Sequence, residues 1–126
     1  MGKYYTTLLN GQWKVYIFLF MKKGTNYKLY FKIGITEYRD IDARMFFNNL
    51  KEEDSFLKHF DIRPMWSSKY STKEEAEKVE KKLLKYFGKQ VDMGFKTSGH
   101  TEVRKYNQQL WMDIKDKLYN KTNKYV

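Results

Sequence analysis

The stretch YFKIGITEYRDIDAR, residues 30–44, is the part of the chain on which its fold turns. Together with the two residues before it, its first half alternates. Leu29, Phe31, Ile33 and Ile35 fall on one face, and Lys28, Tyr30, Lys32, Gly34 and Thr36 on the other, which predicts a strand over 28–36. Gly34 is out of place in such a strand. It has no side chain to bury and weakens a strand interior, so it points to the close approach of another element or of a ligand.

Working outward, residues 13–20, WKVYIFLF, are rich in aromatic and β-branched residues and predict a preceding strand. Gly24 and Asn26 mark the segment between as a hairpin loop over 21–27. Pairing Phe20 with Lys28 would set Tyr16 opposite Lys32, and any even shift of register keeps the two on one face. Asp40 can cap a helix reaching about Leu50. Residues 59–70 predict a third strand, interrupted or placed at an edge by Pro64. Ser71 and Glu74 form an S-x-x-E capping box for a helix whose stripe is Ala76, Val79, Leu83, Leu84 and Phe87, closed by Gly88. A last helix is predicted from about Glu102 to Tyr119, with the stripe Val103, Tyr106, Leu110, Ile114 and Leu118.

The chain of 126 residues is the length of one domain, and 41% hydrophobic residues suffice for it to fold. The expected organisation is a single α/β (α+β) domain over 1–126 with its core at about 13–107. The formal charge is +10, and the two parts of the chain split at residue 50 each carry +5. A basic excess spread in this way predicts a basic surface, for which phosphate backbones are the commonest partner. There is no cysteine, which excludes disulfides and thiolate metal sites. No apolar run approaches the ~18 residues of a membrane span, and no leader pattern is visible, so a cytoplasmic protein is expected. His59 and His100 are too few for a histidine metal cage.

Glu80 is the most informative single position. At about 100° per residue it lies between Ala76 and Leu84, inside the apolar stripe of its helix. A carboxylate on a packing face must be paired, protonated or metal-bound, because burying it alone is very costly. Both an ion pair to a lysine or arginine and a hard cation such as Mg²⁺ meet that need.

In order, these residues resemble a known family. Val15-Tyr16-Ile17, then Lys32-Ile33-Gly34 with Thr36 two positions on, is similar to the paired motif of the GIY-YIG nuclease superfamily. Arg44 follows eight residues after Thr36, and AEKVEKKL (76–83) puts Glu80 in the place of the family's helix glutamate. The nearest likeness is to the T5-ORF-172-like, or Mug113-like, branch, where the second motif commonly reads KIG. SGHTEV (98–103), with Glu102, resembles that branch's closing element. Lys32 replaces the second tyrosine, Arg39 competes with Arg44, Asn48 stands where a His or Tyr is common, and Asn107 is the counterpart of a C-terminal asparagine.

The resemblance implies a three-stranded antiparallel sheet flanked by helices, with an extra C-terminal helix. It implies metal-dependent hydrolysis of DNA phosphodiester bonds, in a protein of phage or mobile-element type acting in the host cytoplasm. Tyr16 would orient or deprotonate the attacking water, Glu80 would hold Mg²⁺ (or Mn²⁺), and Arg44 would neutralise charge on the phosphoryl oxygens. Lys32 would favour the charged form of a neighbouring phenol. Gly34, Thr36 and Arg39, with Lys22, Lys23 and Lys28 of the hairpin, would lie along the DNA. One site cutting both strands would need a homodimer or two visits. The alternative is a GIY-YIG-like module without catalysis that binds DNA or a host protein.

Overall fold

The computed structural model describes residues 9–38, 56–94 and 100–122. Strand β1 (Leu9–Lys22) turns back through a short loop into β2 (Lys28–Tyr38), and the turn is closed by Lys22 N–H donating to the Tyr27 carbonyl at 2.9 Å. A single helical turn, α1 (Phe56–His59), leads into β3 (Phe60–Tyr70), followed by helix α2 (Lys73–Phe87). A 3₁₀ turn (His100–Glu102), the short strand β4 (Val103–Lys105) and helix α3 (Gln108–Thr122) complete the order.

The strands form one antiparallel sheet in the order β3-β1-β2-β4, so the fold is α+β with an open four-stranded sheet. Three strands were expected. The fourth occupies residues assigned from the sequence to the last helix, and Val103 explains the difference. Its apolar side chain fits the helical stripe, but it is fully buried opposite Lys32 in the sheet. The helix starts later, where the Asn107 side chain accepts from Leu110 N–H at 3.0 Å in the manner of an N-cap.

Pro64 behaves as a proline in a sheet should. It lies in an edge strand, and the ladder skips there: Ile17 faces Trp66, whereas Phe18 faces Pro64, leaving Met65 as the extra residue. Helix α2 begins one residue later than the capping box suggested. Thr72, not Ser71, is the N-cap and accepts from Glu75 N–H at 3.2 Å. Gly88 ends the helix at φ 106°, a conformation that suits glycine.

Both faces of the sheet are covered. On one, Val15, Ile17, Leu19, Phe31, Ile33 and Trp66 pack under α2, through Ala76, Leu83 and Phe87, and under α3, through Trp111 and Leu118. Trp66 Nε1 donates to the Leu118 carbonyl at 3.0 Å, tying the end of α3 to β3. On the other, Tyr16, Phe18 and Phe20 meet Phe56, Phe60 and Val103. The alternation assigned Lys32 to a polar face; that face is instead a second, aromatic core. No helix among the described residues is long and apolar enough to cross a membrane.

Candidate functional site

The site grows from one cross-strand pair. Tyr16 of β1 stands directly opposite Gly34 of β2, with Phe18 opposite Lys32, two residues from the register expected. The shift is even, so Tyr16 and Lys32 share a face as anticipated. A Cβ on Gly34 would overlap the Tyr16 hydroxyl and come within 3.0 Å of Lys32 Nζ. Glycine therefore leaves the groove in which the Tyr16 ring lies across the strand.

Lys32 is only 4% exposed. Its ammonium donates to Tyr16 Oη at 3.3 Å, to the Ile33 carbonyl at 3.1 Å and to Glu102 Oε1 at 2.9 Å. These three bonds use all three protons of the ammonium. Burial works to neutralise Lys32, but the Tyr16 hydroxyl and the Glu102 carboxylate outweigh it and hold its pKa above the ordinary lysine value. Lys32 is therefore a fixed cation that orients Tyr16 and Glu102, with no proton left over for a ligand.

Glu80 enters from α2. It is half-buried, one turn beyond fully buried Ala76, which agrees with its expected place on the packing face. Its Oε2 is shut off from solvent with no donor aimed at it. Burial, followed by a hydrogen bond to Glu102 and that group's charge, pushes the Glu80 pKa up to about 8, against the opposing pull of Lys32. Two carboxyl groups can share a hydrogen bond only if one carries a proton, so Glu80 holds it near neutral pH. Tyr16, Lys32, Glu102 and Glu80 thus form one continuous polar chain from β1 to α2.

Glu102 is the member that the sequence reading left without a role. It directly precedes β4, whose pairing with β2 ends at Lys32–Val103, and so it reaches the lysine from the next strand. Two touching carboxyls, one with an orphaned oxygen, form a hard-oxygen donor set of the kind Mg²⁺ or Mn²⁺ accepts while keeping several waters. Among the described residues, no group of three or more His, Cys, Asp and Glu side chains could hold a metal ion. Glu80 and Glu102 are the side chains that would hold such a cation.

The other expected site residues fall elsewhere. Thr36 is buried opposite Lys14, two residues past Gly34. Lys22 and Lys23 are exposed at the hairpin, and Lys22 is six residues or about 20 Å along the strand from Tyr16. Lys28 is exposed at the start of β2, and His59 is exposed at the end of α1. Arg39, Arg44 and Asn48, with the helix expected at about 40–50, lie outside the described residues. Compared with protein-family models, curated proteins and solved structures, the chain finds no match.

Proposed function

We propose that the chain is a divalent-metal-dependent endonuclease of the GIY-YIG type that hydrolyses DNA phosphodiester bonds. The observation that carries this reading is the polar chain from Tyr16 through Lys32 and Glu102 to Glu80, built into a largely aromatic and aliphatic interior. A sheet that needed only to pack would not bury a lysine ammonium between a ring hydroxyl and a carboxylate, with a second carboxyl beyond it.

Tyr16 orients the attacking water. Its oxygen accepts from Lys32, so its own proton points away from the lysine and its remaining lone pair can accept from that water. Lys32 is a positioning residue, acting through Tyr16 and Glu102. Glu80, assisted by Glu102, is the metal ligand, and a divalent cation bound there would supply Lewis-acid polarisation of a phosphoryl oxygen. Arg44, and Arg39 as its rival, would meet the charge that grows on the phosphoryl oxygens. The bond formed joins phosphorus to the water oxygen, which gives up one proton to bulk water, and the bond broken joins phosphorus to one sugar oxygen, which takes up a proton from bulk water and leaves as a hydroxyl.

Nicking of supercoiled plasmid under titration with Mg²⁺ and Mn²⁺ tests the reading. Metal-dependent nicking is expected, with Glu80→Ala about a hundredfold or more slower while its circular dichroism is unchanged. A variant that cleaves as fast as wild type refutes the assignment of the ligand.

One observation favours a second reading, a DNA-binding module without chemistry. With Lys32 charged, Glu102 ionised and Glu80 protonated near neutrality, the cluster balances its own charge and has no electrostatic need of a cation. Salt-sensitive DNA binding without cleavage at any metal concentration would decide for it.

A further inference from the structure

A groove of about 740 Å³ lies at the far end of β2, between the hairpin, the end of β4 and the segment that follows α2. Tyr27, Lys28, Lys89, Lys105 and Tyr106 are among its lining residues, which include three lysines and no aspartate or glutamate among the described residues. Tyr27 is 67% exposed, so most of its ring is open to a ligand. Tyr106 is held from behind by Phe31, their centroids 5.1 Å apart, and Lys28 Nζ stands 5.4 Å from its ring centre. The volume is within the range of small-ligand sites and admits a nucleotide.

We infer that this groove binds an unpaired nucleotide of a DNA strand, with the base stacked against Tyr27 and the flanking phosphates held by Lys28, Lys89 and Lys105. The chemistry argues for an unpaired base over a duplex. Exposed rings gain from a base only when its face is free, and in a duplex those faces are already stacked. A duplex offers a convex row of phosphates, which flat lysine clusters meet without a concave aromatic floor. The groove begins at Lys28, four residues and about 13 Å along β2 from Lys32. Branched, frayed or gapped DNA presents an unpaired nucleotide of this kind and is the substrate class. The inference rests on the nucleic-acid reading above but not on cleavage.

Anisotropy of a labelled twelve-nucleotide thymidine strand, its duplex, and an abasic strand of equal length tests it, with the full chain in EDTA. The thymidine strand should bind tightest. Tyr27→Ala should weaken it at least about fivefold and leave the abasic strand unchanged. Lys89→Ala with Lys105→Ala should lower the slope of log affinity against log salt by about 1.4. If wild type binds the strand but neither set of variants changes that, the groove is not the site and the nucleic-acid reading stands. If Tyr27→Ala weakens the abasic and thymidine strands equally, base stacking is wrong. If wild type binds neither strand nor duplex at low salt, both readings fall.

Discussion

At the scale of single residues, Gly34 and Glu80 carry the argument. The glycine answers a steric demand, because the Tyr16 hydroxyl fills the space a Cβ would take. Gly34→Ala should cost about 1–3 kcal/mol, the usual penalty of overpacking, read as a lower urea midpoint at unchanged m-value. In a Tyr16→Ala background the same substitution should cost much less, and additive losses would show that the two residues do not meet. Glu80 makes a pH-dependent contribution whose sign follows from its shift. Its folded pKa of about 8 lies above the ordinary 4.5, so between these values the folded chain keeps a proton that the unfolded chain releases. The stability this contributes is complete below about pH 4.5 and declines as pH rises toward 8. A glutamine amide can donate to Glu102 as the protonated carboxyl does, without titrating. Urea titrations in metal-free buffer should therefore show Glu80→Gln gaining on wild type from pH 5 to 8, with the gap level above that. Parallel profiles would mean that the Glu80 carboxyl is as well solvated folded as unfolded.

At the scale of elements, the sequence was legible wherever one period dominated. The alternation of 28–36 gave β2, the aromatic run gave β1, and the stripe from Ala76 to Phe87 gave α2 with its glycine stop. Misplacements arose where two signals overlapped. Ser71 and Thr72 are adjacent hydroxyls followed by adjacent glutamates, and pattern alone does not choose between them. Val103 satisfied a helical stripe locally while being held by Lys32 of a strand about 70 residues away, a tertiary constraint that no local window contains. Glu102 went without a role for the same reason, since its partner Lys32 is equally distant in sequence. The capping assignment is open to a direct check. Thr72→Ala should destabilise by about 1 kcal/mol, within the 0.5–2 typical of lost N-caps, whereas Ser71→Ala should be close to neutral. The reverse order in thermal melts would return the cap to Ser71 and shift the start of α2 by one residue.

At the scale of the whole molecule, the two-sided sheet explains how a small chain holds a buried polar cluster. Tyr16, Phe18 and Phe20 on one face and Val15, Ile17 and Leu19 on the other leave β1 with no solvated side, so its neighbour β2 is fixed between two cores. A lysine on β2 then loses little side-chain freedom beyond what packing has already removed, and its three bonds are made in a rigid frame. The charge of +10 is spread along the chain, and it should act at longer range. If the chain's lysines form a phosphate-binding surface, affinity for a random-sequence duplex should fall at least about tenfold between 50 and 200 mM salt, because each neutralised phosphate releases condensed counterions. Screening alone weakens exposed charge pairs far less than this over the same interval, as the Debye length changes only from about 14 to 7 Å. A duplex affinity that stays level across that range would separate the chain's basic surface from phosphate binding, leaving the lysines a role in solubility and the proposed hydrolysis of DNA without its substrate.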